Sequence, residues 1–283
     1  MNDLFAATKP MNFLIRVGIG GWTYAPWRKL FYPSGLLQRR ELEYASRQLR
    51  AIEINGTFYG AQKPATYAKW ASETPDGFVF SLKAPRYITE GKPLAQAGRG
   101  IEAFVHGGLA EMGDRLGPIL WQWPPSRRFD ADDLAAFLDL LPRELAGQPL
   151  RHVLEVRHPS FACERYLELV RGRGVPTVFT DSTDYPSLAD LSGDFSYARL
   201  MRSVDELECG YPDEALDQWS ARAKQWAAGN DVIDLPHAGA PLAKGPPRDL
   251  FVFFIGSAKH RNPAAAMALQ ARVDAQADGA ARR

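Results

Sequence analysis

The stretch Ala51-Ile52-Glu53-Ile54-Asn55 decides the fold of this chain. Successive side chains of a β-strand point to opposite faces, so Ile52 and Ile54 share one face, whereas Glu53 and Asn55 share the other. In a parallel barrel one face of each strand meets the helices and the other fills the barrel, with polar residues at the C-terminal mouth. This stretch therefore predicts a barrel strand that ends at a polar site.

Similar short apolar runs recur along the chain, and helical spacing follows most of them. Eight strands with mostly helical returns over about 260 residues are typical of a (β/α)8 barrel. We therefore predict one irregular TIM-type barrel over residues 13–275, with flexible termini at 1–12 and 276–283. The predicted strands are 14–20, 51–55, 78–84, 119–123, 152–157, 177–181, 195–200 and 250–256.

Helices complete this prediction, and a segment rich in proline and glycine at 231–248 is predicted to be an insert before the last strand. Asp130 is expected to cap one of the helices. An open doubly wound sheet is the alternative fold, but Gly18-Ile19-Gly20-Gly21 lacks the G-x-G-x-x-G spacing of its phosphate loop. The predicted helices are 37–49, 65–72, 100–116, 131–141, 163–171, 213–228 and one that begins at Pro263.

The composition limits the classes of partner. The 283 residues include 34 Lys and Arg against 33 Asp and Glu, a net charge of +1 that does not favour a nucleic-acid partner. Two separate cysteines predict neither a disulfide framework nor a cysteine-rich zinc site. No apolar run approaches the roughly 20 residues that span a bilayer, and no signal peptide is recognisable. We expect a cytoplasmic protein that does not bind membranes, of unknown oligomeric state.

Motifs in chain order carry a family resemblance over about residues 14–228. Together they resemble the YecE-like proteins (domain of unknown function 72), whose V-E-I-N-S-T-F-Y is close to the second motif here. The resemblance implies a TIM-type barrel but no particular reaction, because no activity is established for that family. The motifs are Gly20-Gly21-Trp22-Thr23-Tyr24, Glu53-Ile54-Asn55-Gly56-Thr57-Phe58-Tyr59, Lys83-Ala84-Pro85-Arg86-Tyr87-Ile88-Thr89, Gln122 with Pro124-Pro125, Glu155-Val156-Arg157-His158-Pro159-Ser160-Phe161, Asp181-Ser182 and Tyr197-Ala198-Arg199-Leu200.

The chain also departs from the family pattern at three places. After Arg199-Leu200 the chain has Met201, where the family pattern R-L-H-G has a histidine. Glu90 replaces a histidine that follows Y-I-T in the family. Ile255-Gly256-Ser257 replaces an asparagine-rich ending of the last strand. These departures are compatible with a changed specificity and equally with a lost activity.

The strand ends and the loops above them supply the candidate site. Acids and bases that face one enclosed volume must pair or shift their pKa values, because isolated buried charge is unfavourable. A buried ion-pair network that only plugs the barrel is the structural alternative. The candidate catalytic residues are Glu53, Lys83, Glu155 and Asp181, and the candidate substrate-binding residues are Trp22, Asn55, Tyr59, Arg86, Gln122, Arg157, His158 and Arg199.

Residue chemistry suggests individual roles. Arg86, Arg157 and Arg199 suit a carboxylate or phosphate, since guanidinium groups bind such anions bidentately. Lys83 would be a base or imine-forming amine if its pKa is lowered, with an ion pair to Glu53 as the alternative. Glu53 and Glu155 are candidates for a general acid and base. Trp22 and Tyr59 would stack on a ring or simply cap the core, and His158 would bind substrate or only hold its loop.

The leading hypothesis is an enzyme that acts on a small anionic substrate, phosphorylated or sugar-like, by acid/base chemistry. We predict no cofactor and no metal ligands, because the histidines lack zinc-binding spacing. A single divalent ion on the carboxylates remains an alternative. Two other functions stay open, an endonuclease-IV-like protein that binds phosphodiesters and a binding barrel without catalysis.

Overall fold

Eight parallel strands form the centre of the computed structural model, which describes residues 15–91 and 93–280. The predicted flexible segment 1–12 lies outside these residues. The strands follow one another in the order β5-β4-β3-β2-β1-β8-β7-β6. A parallel bridge between Leu154 and Thr177 joins β5 to the start of β6 and closes the barrel. The strands are β1 (Ile15–Gly20), β2 (Ala51–Ile54), β3 (Val79–Lys83), β4 (Leu116–Gln122), β5 (His152–Glu155), β6 (Val178–Thr180), β7 (Phe195–Leu200) and β8 (Asp249–Phe254).

Helices return the chain between most strands, so the predicted (β/α)8 barrel is confirmed. The connection from β6 to β7, residues 181–194, contains no helix, and a short hairpin (Glu144–Leu145 with Gln148–Pro149) precedes β5. Among the described residues no helix combines the length and the apolar composition that crossing a bilayer requires. The helices are α1 (Glu41–Gln48), α2 (Pro64–Ser72), α3 (Arg86–Thr89), α4 (Gly98–Val105), α5 (Ala131–Asp139), α6 (Glu164–Arg171), α7 (Asp213–Ala227) and α8 (Asn262–Ala280).

Two helical predictions can be compared directly with the structure. The carboxylate of Asp130 accepts hydrogen bonds from the N–H groups of Asp132 and Asp133, so the predicted cap of α5 is confirmed. The single helix predicted over 100–116 is wrong. α4 ends at Val105, and a separate 3-10 segment follows over Leu109–Arg115. The reason is Gly108, whose φ of 131° breaks the helical path.

The segment 231–248, predicted to be an insert before the last strand, contains no helix or strand. Two buried carboxylates hold it by its backbone. Asp231 accepts from the N–H of Leu242 at 2.8 Å and contacts Nε2 of His237 at 2.8 Å. Asp190 accepts from the N–H groups of Ala238 and Gly239. Burial opposes protonation of His237, but the hydrogen bond to Asp231 and that group's charge raise the pKa of the imidazole.

The barrel interior is apolar in its lower layers and narrow at β1. Gly18 and Gly20 of β1 carry no side chain into it, and the ring of Phe253 fills the space beside Gly18. A Cβ at Gly18 would lie 2.0 Å from the carbonyl oxygen of Ala51, so only glycine fits there. The interior apolar cluster comprises Ala51, Val79, Leu120, Val153, Val178, Phe195, Tyr197, Phe251 and Phe253.

Candidate functional site

A buried ion-pair cluster replaces the apolar layers towards the C-terminal end of the barrel. Arg199 of β7 donates to both oxygens of Glu53, from Nη2 to Oε1 at 2.9 Å and from Nε to Oε2 at 3.1 Å. Its Nη1 donates to Oε2 of Glu155. None of the three residues is more than 2 % exposed. One guanidinium group therefore joins the strands β2 and β5 across the barrel.

Neighbouring strands complete the hydrogen bonds of these carboxylates. The hydroxyl of Tyr197 donates to Oε2 of Glu53 at 2.7 Å. Oε1 of Glu155 accepts from Nε2 of Gln122 at 2.7 Å and from Nε of Arg157 at 2.6 Å. Burial alone would raise the pKa of Glu155, but the charges of Arg199 and Arg157 outweigh burial and lower this pKa to about 2. Glu155 is therefore ionised at neutral pH.

Lys83 lies at the end of β3, on the same interior face as Val79 and Ser81. Its Nζ lies 3.6 Å from the centre of the Phe58 ring, a cation–π contact. Among the described residues it forms no ion pair with a carboxylate, so the alternative of a Lys83–Glu53 pair is not found. Burial, and next the charge of Arg199, lower the pKa of Lys83 to about 8.

The guanidinium group of Arg157 has two contacts that hold it, and its Nη edge has no hydrogen-bond partner among the described residues. Its Nε binds Glu155, and its guanidinium carbon lies 4.1 Å from the centre of the Tyr185 ring. Within the part of the chain that the structure describes, its two Nη atoms make no hydrogen bond. The side chain keeps 18 % of its surface exposed. Arg157 thus offers a fixed edge of N–H donors at the rim of the cluster.

Asp181 does not join this cluster. Asp181 directly follows Thr180, the last residue of β6. Its oxygens accept from the N–H of Met201 and from the hydroxyl of Tyr211. Burial raises the pKa of Asp181 to about 6 against these hydrogen bonds. Among the described residues Asp181 contacts neither Glu53 nor Lys83, and its catalytic role stays a prediction.

Trp22 and Asn55 lie in a separate cleft beside the cluster. β2 ends at Ile54 and a 3-10 turn follows, and the side-chain amide of Asn55 lies beside Gly20 of β1 and lines this cleft. The cleft has a volume of about 430 Å³ and is bordered by the ends of β8, β1 and β2. Trp22 packs against Trp70 there, with ring centroids 5.2 Å apart.

Tyr59, Arg86 and His158 lie beyond the strand ends. Tyr59 is 76 % exposed, and the guanidinium carbon of Arg86 is 5.9 Å from the centre of its ring. Nδ1 of His158 accepts from the N–H of Ser160 at 3.1 Å and lies 2.8 Å from the hydroxyl of that residue. This imidazole nitrogen therefore caps the short turn that follows it, which agrees with the loop-holding alternative for His158.

Comparison with known proteins identifies the family. The family described as "Protein of unknown function DUF72" matches residues 16–283. The chain belongs to the DUF72 family. A curated relative, the UPF0759 protein YunF of Bacillus subtilis (strain 168), is 26% identical over 223 residues, which cover 75% of this chain and 72% of that protein.

Solved structures of DUF72 proteins share the fold. A DUF72 family protein from Thermotoga maritima MSB8 has a TM-score of 0.69 at 21% identity and covers 94% of this chain and 99% of its own. Another, from Enterococcus faecalis V583, has a TM-score of 0.65 at 15% identity, with 93% and 98% covered. At these identities the likeness concerns the fold alone.

The carboxylates of this DUF72 chain leave little room for a cation. No group of three or more His, Cys, Asp or Glu side chains in the described part of the chain has the arrangement of a metal site. Both oxygens of Glu53 and of Glu155 already accept hydrogen bonds from cationic or neutral donors. A single divalent ion on these residues stays an untested alternative.

Three residues that contact this DUF72 site were not among the predicted site residues. Tyr197 is one of them, although strand alternation places it on the same face of β7 as Arg199. Phe58 and Tyr185 gave no such signal. Both lie on loops, and only the path of those loops brings their rings onto Lys83 and Arg157.

Proposed function

We propose that this DUF72 protein is an enzyme that acts on a small anionic substrate at the C-terminal mouth of its barrel. In this proposal Arg157 binds the anionic group and Lys83 exchanges a proton with the substrate. One observation carries the proposal: a half-buried lysine without a carboxylate partner faces the same cluster as an arginine whose outer edge is open.

The charge balance of the cluster supports an anionic ligand. Glu53 and Glu155 balance Arg199 and Arg157, which leaves the ammonium group of Lys83 without a counter-charge among the described residues. Excess positive charge in a partly buried site attracts anions more strongly than the same charge in open solvent does. A carboxylate or phosphate on the Nη edge of Arg157 would supply the missing negative charge.

The lowered pKa of Lys83 supports proton transfer. An amine with a pKa of about 8 is about one-tenth neutral at pH 7, and it gains or loses a proton readily near that pH. The residue is also held in place, because its ammonium group contacts the ring of Phe58. Burial and the nearby charge of Arg199 thus bring the pKa of Lys83 close to neutral pH, which favours a role as a general acid or base.

Glu53 and Glu155 take a different role in this proposal from the general acid and base of the sequence-based hypothesis. Each is engaged with Arg199, and the lowered pKa of Glu155 makes it a poor proton donor at neutral pH. They act as positioning residues that hold Arg199 and Arg157. Gln122 contributes by fixing one oxygen of Glu155.

A screen of small anions tests the proposal. Carboxylates, phosphates and sugar phosphates are added at low ionic strength, and the shift in Tm is measured for the wild type and for Lys83→Met and Arg157→Met. Lys244→Met is the matched control, because this exposed lysine belongs to the segment before β8. We expect at least one anion to raise the Tm of the wild type and the control, with a much smaller shift for Arg157→Met.

The anion found is then incubated with the protein in D₂O, and NMR follows the exchange of its C–H protons. Lys83→Arg keeps a positive charge but cannot release a proton near neutral pH. We therefore expect this variant to bind the anion and to lose about 100-fold or more of the exchange rate. Equal Tm shifts for the wild type and Arg157→Met would refute the anion site, and unchanged exchange in Lys83→Arg would refute the role of Lys83.

A further inference from the structure

The cleft beside the ion-pair cluster has the features of a ligand site of its own. It lies between the ends of β8, β1 and β2, with a volume of about 430 Å³. Two indole rings, three side-chain amides and one lysine line it, and no carboxylate of the described residues does so. Small-molecule sites are typically concave, largely apolar and supplied with a few convergent polar groups.

Asn262 brings an unused donor to this cleft. The residue is 2 % exposed, and its Oδ1 accepts from the hydroxyl of Ser203 at 3.0 Å. That hydrogen bond fixes the plane of the amide. Within the described chain the Nδ2 of Asn262 donates to no acceptor. Asn262 lines the cleft and its Nδ2 stays accessible there, so a ligand with an acceptor can take a hydrogen bond from it.

Lys259 adds a cation to the same wall. Its Nζ lies 4.6 Å from the centre of the Tyr24 ring and 5.6 Å from that of Trp27, and the residue is half-buried. Among the described residues it has no carboxylate partner. Because Trp27 Nε1 donates to the carbonyl oxygen of Lys259, the backbone at this position is also held. The cleft therefore presents a fixed positive charge without a counter-charge.

Another part of the lining is aromatic. Trp22 meets Trp70 edge to face, at an interplanar angle of 82°, and both indoles remain partly exposed inside the cleft. Partly exposed indole surface in a concavity favours a planar ring, which can pack against it in offset or edge-to-face geometry. The ligand that satisfies both walls is a planar ring with an acceptor-bearing negative group.

We infer that this cleft binds an aromatic organic anion, with its ring against Trp22 and Trp70 and its carboxylate or phosphate on Lys259 and Asn262. The site is distinct from the proposed anion site at Arg157, and none of its contacts involves Lys83. Binding in the cleft therefore goes beyond the proposed function and does not depend on it.

Matched probes test the inference by calorimetric titration of the whole protein. The probes are 2-naphthoate, its neutral amide 2-naphthamide, its saturated analogue decahydro-2-naphthoate, and inorganic phosphate. We expect 2-naphthoate to bind about tenfold or more tightly than each of the others, because only it supplies both the ring and the charge. Equal affinity for decahydro-2-naphthoate would refute the proposed contact between an aromatic ring and the two indoles. Equal affinity for the amide would refute the proposed contact between a negative group and Lys259.

Variants locate the binding. Lys259→Met retains the alkyl stem and should weaken 2-naphthoate about tenfold or more, whereas Lys259→Arg should restore most of the affinity. Lys244→Met and Lys83→Met should leave it unchanged, and the melting temperature of each variant confirms its folding. Unchanged affinity in Lys259→Met would overturn the inference. Loss of affinity in Lys83→Met would also overturn it, because the ligand would then belong to the proposed anion site at Lys83 and Arg157.

The two proposals fail independently. If no anion shifts the Tm through Arg157 but 2-naphthoate still binds through Lys259, the proposed function is refuted and the cleft remains a ligand site. If 2-naphthoate does not bind the wild type at millimolar concentration while the Arg157-dependent shift persists, the inference about the cleft is refuted alone.

Discussion

Arg199 contacts both buried carboxylates of the cluster, so its removal would leave two negative charges inside the barrel without their main partner. Breaking a buried ion pair from one side typically costs about 3–5 kcal/mol, because the remaining charge stays desolvated. We expect Arg199→Met to lower the free energy of unfolding by about that amount at pH 7. Urea titration followed by circular dichroism measures this change.

A triple variant separates charge from shape in this experiment. Glu53→Gln and Glu155→Gln added to Arg199→Met remove the unpaired charges while keeping nearly the same volume. We expect the triple variant to be more stable than Arg199→Met alone, because no buried carboxylate is left without a partner, and the charge that loses its carboxylate, on Arg157, lies partly exposed at the rim. If the free energy of unfolding of Arg199→Met lay within about 1 kcal/mol of the wild-type value, the central role of Arg199 would be contradicted.

His152 predicts a dependence of stability on pH. Its Nδ1 accepts from Nε1 of Trp121 at 3.1 Å, and its Nε2 lies 2.7 Å from the carbonyl oxygen of Pro142, so Nε2 carries the proton. Burial lowers the pKa of this imidazole to about 4. Between pH 6.5 and about 4, His152 is protonated in the unfolded chain but stays neutral in the folded protein. Stability from His152 is therefore complete above pH 6.5 and is lost as the pH falls through 4.

The expected loss is about 3 kcal/mol between pH 6.5 and 4, from the usual free energy per pKa unit. Other groups titrate in the same window, so the comparison is made with His152→Gln, whose amide stays neutral. We expect the difference in unfolding free energy between the wild type and this variant to shrink as the pH falls. A difference that is constant with pH would contradict the lowered pKa of His152.

At the scale of the element, β1 is constrained by its glycines. A Cβ at Gly18 would lie 2.0 Å from the carbonyl oxygen of Ala51 on β2, and backbone cannot move aside as a flexible side chain can. We expect Gly18→Ala to destabilise the protein by about 3 kcal/mol or more, at the upper end of overpacking effects. Thermal unfolding measures it, with Gly60→Ala as the control because nothing lies within 4 Å of a Cβ there.

Strand alternation also explains how much of the site was predictable. Glu53, Lys83, Gln122, Glu155 and Arg199 were predicted to face one volume, and the structure brings them together because side-chain direction on a strand is a local property. Arg157, just beyond β5, joins them through Glu155. The barrel itself was predictable for the same reason.

Residues beyond the strand ends were less predictable. Asn55 directly follows Ile54, the last residue of β2, and Asp181 directly follows Thr180, the last residue of β6. Strand alternation no longer fixes the direction of a side chain at these positions. Trp22, Tyr59 and His158 lie on loops or turns, and Arg86 begins the short helix α3. The path of a loop depends on long-range contacts, which a single sequence does not encode as a period.

At the scale of the whole molecule, closure of the barrel is uneven. β1 pairs with β8 and with β2 over several residues on each side and packs against α8. β6 has only three residues. It is joined to β5 by the Leu154–Thr177 bridge, where the N–H of Leu154 donates to the carbonyl oxygen of Pro176 at 3.0 Å. No helix follows β6 before β7. The β5–β6 seam therefore has few backbone hydrogen bonds to resist opening.

Local opening free energies follow the density of such contacts, so the seam should open more often than the rest of the barrel. Hydrogen exchange measured by mass spectrometry at neutral pH tests this. We expect peptides that cover 176–182 to exchange at least about tenfold faster than those that cover β1, which corresponds to a difference of about 1.4 kcal/mol in opening free energy. Equal protection of both would contradict the uneven closure. Because Glu155 ends β5 and binds Arg199 of β7, Arg199→Met should speed exchange in 176–182 further and leave β1 less affected.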